Sequence, residues 1–385
     1  MKWIYPNHQL DAVATQLKSF EKIYIFGAGE TGRLVQKFVS FLGIEIEFID
    51  NNKKRTATVD GCNVISMEEY ETCRNEKAHI IILAMERHSY LGLIKKLWRL
   101  GYIENKNFFF HDVFLKYYLN VFSSYFFEKV YINQISQMVT DYCSLRCRHC
   151  CMSIPYLKNH YIFTLKKLEE DADLLFKNID YIQYWGPGGG EIFLFSQLGD
   201  FLDYVIRRYR NQIGEVLLIS NGTVVPTDET LSMIAKHKLD VKISDYSLVP
   251  GWEDKRDKFV NKLRLFDIAY SERKMDYWID MWGRKTNIQS HIIDKGASVR
   301  FDRCDNTCRE FFDGRLYYCM HGRYANLSKE CEEVEGLNFR NEHITKKMIM
   351  EYNFGFLHEG YYKICECCNG YFGINHNRIE VAEQI

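Results

Sequence analysis

Three cysteines stand close together in the stretch Val139-Thr140-Asp141-Tyr142-Cys143-Ser144-Leu145-Arg146-Cys147-Arg148-His149-Cys150, with a C-x3-C-x2-C spacing. Thiolates are the ligands of iron–sulfur clusters, and a cube of four irons takes a full set of four. Three of them within eight residues, with no fourth in step, leave one iron open to another molecule. A structural zinc knot is the rival reading. Zinc pairs C-x2-C units and closes its shell with four ligands, so a lone three-cysteine loop suits it poorly.

The elements around this loop must hold it in place. A β-like run at 134–140 leads into it. After it come a helical run at 163–177, with Leu165, Leu168, Ala172 and Leu175 on one face, and a strand at 179–185 that ends in Gly186-Pro187-Gly188-Gly189-Gly190-Glu191. A helix at 194–210 precedes a strand at 215–219 ending in Ser220-Asn221-Gly222. A helix at 227–237, a strand at 241–243 ending in Ser244-Asp245, and a helix at 254–266 complete the series. Repeated βα units of this kind imply an α/β fold with a parallel sheet or barrel, its functional loops at the strand carboxyl ends.

Ahead of this region, residues 22–110 read as a smaller α/β domain. A buried-strand run at 23–26 is followed by Gly27-Ala28-Gly29-Glu30-Thr31-Gly32 and a helix with Leu34, Val35, Phe38, Val39 and Leu42 at helical spacing. A second strand at 44–49 ends at Asp50, and further strand and helix runs follow at 79–83 and around Leu91, Ile94, Leu97 and Trp98. Strand, G-x-G-x-x-G, helix, strand, acid is the dinucleotide-binding pattern. Gly27, Gly29 and Gly32 would let a phosphate approach the helix N-terminus, and Asp50 stands where an acid would meet ribose hydroxyls. Some ninety residues make only about half of a full dinucleotide fold, and no hydride-transfer residues are evident after it. Between the domains, Phe114, Tyr117, Tyr118, Val121, Phe122 and Tyr125 form one apolar helical face that would dock the small domain rigidly on the next.

The cysteine spacing, the Val-Thr strand end before it and His149 before the last cysteine resemble the radical S-adenosylmethionine enzymes. That resemblance implies a partial (βα)6 barrel and a [4Fe–4S] cluster on Cys143, Cys147 and Cys150, whose open iron takes S-adenosylmethionine. Gly189-Gly190-Glu191 matches the family's GGE, which receives the methionine ammonium, although Ile192 stands where Pro is frequent. Ser244 matches a position contacting ribose or carboxylate, with Asn221 a second candidate. Later in the chain, Cys304-x9-Gly314-x4-Cys319, a gap, and Cys365-x2-Cys368 are similar to the "twitch" form of the SPASM-type auxiliary-cluster domain. This implies one auxiliary [4Fe–4S] cluster on Cys304, Cys319, Cys365 and Cys368. Cys308 and Cys367 are spares able to replace a neighbour, Cys331 is unattached, and a four-thiolate zinc site stays open as an alternative. The first domain resembles the small Rossmann-like domains attached to sugar acyltransferases and other surface-glycan enzymes, where the glycine turn holds a nucleotide-sugar or serves structure alone. The chain as a whole looks like a group of radical proteins found among surface-polysaccharide genes.

The expected organisation is a Rossmann-like nucleotide-binding-type domain at 1–112, an aromatic connecting helix at 113–130, a radical SAM partial barrel at 131–299 and a twitch-type domain at 300–385. With 50 basic against 51 acidic residues, nothing suggests a nucleic-acid partner. Residues 1–7 lack the apolar core of a signal peptide and no run approaches a membrane helix, so a cytoplasmic location is expected. Thirteen cysteines in such a chain point to metal or redox chemistry and not to disulfides. The expected activity is radical oxidation of an alcohol carbon on a carbohydrate or nucleotide-linked sugar, with flavodoxin or ferredoxin as electron donor. Sugar epimerisation, peptide modification and a non-catalytic electron-transfer protein are the rivals.

Overall fold

The computed structural model describes residues 10–17, 20–51, 58–85, 90–283, 296–331 and 334–385. The leader expectation at residues 1–7 lies outside them. The chain divides into two compact units, Met1–Asn133 and Gln134–Ile385. Among the described residues no helix is long and apolar enough to cross a membrane.

The first unit is built on a six-stranded sheet in the order Thr58–Val59, Cys62–Ile65, Glu45–Ile49, Lys22–Phe26, His79–Leu83, Phe108–Phe110. Lys22–Phe26 runs parallel to both neighbours, with Phe26 opposite Ile49 on one side and Leu83 on the other. Four of its five residues are buried, as a strand covered on both faces requires. The helix Glu30–Val39 turns Val35, Phe38 and Val39 inward. The segment expected as one regular helix differs. His111–Val113 and Leu119–Phe127 are α-helical, but Phe114–Tyr118 is a π-helical stretch. The wider turn shifts the helical register. Phe114 and Phe122 are buried as expected, whereas Tyr117 is 56% exposed.

The second unit carries two sheets. One follows the order Leu337–Asn338, Arg315–Tyr317, Cys308–Phe312, Tyr131–Thr140, Tyr181–Gly189, Ile213–Val216; the other is Leu218–Ser220, Val241–Ser244, Tyr270–Arg273. The run expected as one strand at 215–219 is thus divided between sheets at Leu217. Its N–H donates to the Trp185 carbonyl at 2.8 Å, and its own carbonyl lies 2.1 Å from where a Cβ on Gly186 would stand. The next strand along the chain after Tyr270–Arg273, Trp278–Ile279, pairs antiparallel with Arg378–Ile379. Cys308–Phe312 instead adds parallel to the other side of the first strand, Cys308 opposite Gln134. The observed architecture is therefore mixed α/β with parallel sheets. The helices Leu165–Asn178 and Asp228–Lys236 start on threonines whose hydroxyls accept N–H groups of the first turn. The strands that end at Thr140, Gly189, Ser220 and Ser244 lead directly into the loops that carry the candidate residues.

Candidate functional site

The cysteine loop leaves the carboxyl end of Tyr131–Thr140, and the adjacent strand Tyr181–Gly189 runs straight into the glycine turn. Crowding there demands glycine. Gly189 has φ +123°, and a Cβ on Gly190 would lie 2.0 Å from the Tyr142 carbonyl and 3.0 Å from Cys143 Cβ. The N–H groups of Gly190 and Glu191 donate to the carbonyls of Thr140 (3.2 Å) and Tyr142 (2.8 Å), lacing the turn to the root of the loop.

Cys143, Cys147, His149 and Cys150 line a cavity of about 310 Å³, and Gly189, Gly190, Asn221 and Ser244 line the same cavity. Asn221 does more than face it. Its Nδ2 donates to Cys143 Sγ at 3.5 Å and to Ser144 Oγ at 3.1 Å, and its carbonyl accepts from Trp252 Nε1 at 2.7 Å. His149, 5% exposed, has Nε2 3.3 Å from Glu383 Oε2 and Nδ1 3.8 Å from Asp280 Oδ1.

Glu191 is set differently from the two glycines before it. It is fully enclosed and not on the cavity wall. Its carboxylate accepts from Asn221 N–H (2.7 Å), Ser220 Oγ (2.9 Å) and Phe193 N–H (3.3 Å), so it braces the Ser220–Asn221 strand end. Burial pushes its carboxyl up to about 7, against the pull of those three donors.

Sequence reasoning missed the rest of the lining. Tyr246, Met275, Trp278, Met281, His321 and Tyr371 belong to it, and Cys151 beside the loop joins them. His321 is 1% exposed with both ring nitrogens lacking a hydrogen-bond partner. Burial lowers it to about 4, so a neutral imidazole is presented to the cavity. Its position two residues after Cys319 was the one available signal.

A second, smaller cavity is lined by Cys304, Cys319, Cys365 and Cys368, and Met281 and Tyr371 line both cavities. The spares do not join. Cys308 is buried in its strand with Sγ turned to the Arg309 carbonyl at 3.5 Å, away from this wall. Cys331 and Cys367 form a disulfide, which corrects both the unattached reading of Cys331 and the expectation of thiols throughout.

The residues can be tested against the groups the spacing implies. Among the described residues no group of three or more His, Cys, Asp or Glu converges to hold a metal ion. Zinc would draw four thiolates to about 2.3 Å from one centre, whereas a cube of four irons takes thiolates around a larger group. Thiols spread around a cavity suit a larger iron–sulfur group. Burial pushes Cys143 up to about 11, and Cys147, Cys365 and Cys368 up to about 12. Thiolates in such surroundings need a positive centre beside them. The donor sets fit.

In the first unit, Gly27 has φ +102° and the Ala28 N–H donates to Asp50 Oδ2 at 2.9 Å. Asp50 therefore ties down the turn it was expected to complement. A Cβ on Gly32 would lie 1.9 Å from the Gly27 carbonyl, while beside Gly29 the space is open.

No protein-family model and no curated protein matches the chain. Several solved structures are similar. Native anSMEcpe with bound AdoMet is 16% identical with a TM-score of 0.29, over 36% of this chain and 43% of that one. This chain thus spans less than half the length of that structure. BtrN in complex with AdoMet and 2-DOIA is 14% identical with a TM-score of 0.39, over 66% of this chain and 97% of that one. The acetyltransferase domain of PglB from Neisseria gonorrhoeae FA1090, in complex with acetyl coenzyme A, is 25% identical with a TM-score of 0.19, over 22% and 41%.

Proposed function

We propose that the chain is a radical S-adenosylmethionine enzyme that oxidises an alcohol carbon. The observation that carries this reading is the gathering of three thiols, a forced glycine turn, Asn221 and Ser244 around one cavity. Cys143, Cys147 and Cys150 would hold a [4Fe–4S] cluster. With S-adenosylmethionine and one electron from a flavodoxin- or ferredoxin-type donor, that cluster supplies a 5′-deoxyadenosyl radical able to take hydrogen from an unactivated C–H bond. The chain's own groups orient and enclose. The Gly189–Gly190 backbone and Ser244 would hold the methionine and ribose parts, Asn221 fixes the loop through Cys143, and Met275, Trp278 and Met281 keep water out. His321 offers a neutral imidazole to the substrate.

Oxidation to a ketone requires the substrate radical to lose one proton and one electron. The four-thiol cavity behind Met281 and Tyr371 would hold the acceptor, an auxiliary [4Fe–4S] cluster. We take the substrate to be a carbohydrate or nucleotide-linked sugar, with the Gly27–Gly32 turn of the first unit as a candidate nucleotide site. One observation favours epimerisation as a second reading. Cys151 places a thiol on the cavity wall, where it could return a hydrogen atom.

Anaerobically reconstituted protein is expected to contain about eight irons, two cubes of four. Changing Cys143, Cys147 and Cys150 together to Ala should remove about half of that and abolish S-adenosylmethionine binding. Full iron content in the triple variant would refute the assignment.

A further inference from the structure

The segment 378–385 lies against the cysteine loop. Arg378–Ile379 pairs with Trp278–Ile279, and Val381 and Ala382 pack against Leu145 and Cys147. From there the backbone runs beside the loop as an antiparallel bridge between Cys147 and Gln384. Arg148 N–H donates to the Glu383 carbonyl at 2.7 Å, and Ile385 N–H to the Arg146 carbonyl at 2.9 Å. Side chains add to this seam. Glu383 pairs with Arg148 at 2.8 Å and stands 3.3 Å from His149.

Gln384 occupies the centre of the seam, and both ends of its amide are engaged. Oε1 accepts from Arg146 N–H at 2.8 Å, which fixes which end of the amide faces the loop. Nε2 then donates to Cys147 Sγ at 3.3 Å and to the Ala382 carbonyl at 2.6 Å. Cys147 is buried, so little water competes for its sulfur. Hydrogen bonds to ligand sulfurs are one of the levers that set an iron–sulfur potential, and partners outside the ligand set orient the ligands themselves.

We propose that Gln384 is a positioning residue that tunes the reduction potential of the group held by Cys143, Cys147 and Cys150, by donating to the Cys147 sulfur from a strap anchored on both sides. The inference rests on the cluster reading of those cysteines. A donor on the sulfur withdraws electron density and stabilises the reduced, more negative state, so the strap makes the first electron easier to deliver. The same contact also shields one flank of the loop.

The test is a redox titration of the reconstituted full chain, followed by electron paramagnetic resonance on the signal that shifts when S-adenosylmethionine is added. Gln384→Met keeps the length and removes the donor. Gln384→Glu keeps the acceptor for Arg146 N–H and removes only the donor, adding a negative charge. Both should load iron normally and become harder to reduce, the Met variant by about tenfold in the reduction equilibrium, which is ~59 mV for one electron. Gln384→Glu should fall at least as far. Midpoints equal to the wild type in both variants would overturn the proposal. Loss of the cluster from both would make Gln384 a structural anchor and overturn the tuning role. A wild type with no S-adenosylmethionine-responsive signal would instead defeat the cluster reading, and this inference with it.

Discussion

Glu310 is a carboxyl with almost nothing to satisfy it. It is wholly buried; Oε2 accepts from Arg323 N–H at 3.4 Å and Oε1 has no hydrogen-bond partner. Burial pushes its pKa up to about 8, with the Arg323 charge pulling the other way. A carboxyl raised above its unfolded value of about 4.3 favours folding only while protonated. That contribution is complete below about pH 4.3 and disappears as the pH climbs through about 8. Relative to Glu310→Gln, the wild type should therefore lose on the order of a few kcal/mol of unfolding free energy between pH ~5 and ~9. Urea titrations at both ends decide it; parallel pH dependence in the two proteins would show that Glu310 is already solvated or paired. Glu191 shows the same effect at a smaller size, because three donors compensate part of its burial.

Asp141 joins the element that carries the first cysteines to the one that follows Cys319. Its carboxylate accepts from Arg323 Nη1 (2.7 Å), Arg323 Nη2 (2.8 Å), Tyr324 Oη (2.9 Å) and Tyr161 N–H (2.9 Å). Burial alone would raise this carboxyl, but the bidentate guanidinium holds it below the usual carboxylate range. Arg323 also lies 3.8 Å over the Phe312 ring. Removing one partner strands a buried charge, so Arg323→Met should cost ~3–5 kcal/mol. The double variant with Asp141→Leu should regain most of it, and thermal unfolding of the four proteins completes the cycle. Additive losses would mean the two groups are not coupled. Elements of this unit were legible wherever apolar spacing alone decides them, as in Leu165–Asn178 and Val241–Ser244. The break at Leu217 was not, because 215–219 reads as one apolar-rich run and only the neighbouring Gly186 backbone divides it. Spacing likewise marked Cys143, Cys147 and Cys150, which line one cavity, but a motif names a residue without its direction, and Glu191 is not part of that lining. His321, Tyr371 and Gln384 reach the site from more than a hundred residues away in the chain, where no local period could announce them.

Both thiol cavities belong to the unit Gln134–Ile385, and one wall of Met281 and Tyr371 serves both. On the proposed reading, the arrangement would separate two tasks that a radical oxidation needs, starting the radical and taking away its last electron. Each should then be removable without the other. Cys365→Ala combined with Cys368→Ala is expected to lower iron to about half, leaving S-adenosylmethionine affinity within about threefold of wild type and 5′-deoxyadenosine formation intact under strong reductant. Iron analysis, calorimetric titration and chromatography of the cleaved nucleoside measure the three quantities. Loss of S-adenosylmethionine binding along with the iron would show that the second cavity supports the first and is no separate acceptor site. With the substrate in hand, the same variant should stop making ketone while cleavage continues. Turnover in deuterated water then separates the two reactions by their hydrogen balance. Oxidation leaves a ketone and one 5′-deoxyadenosine for each product. A product of unchanged composition with one solvent deuterium on carbon would replace oxidation by epimerisation, and Cys151→Ala should then abolish that deuterium, because Cys151 lines the cavity outside the three-cysteine set.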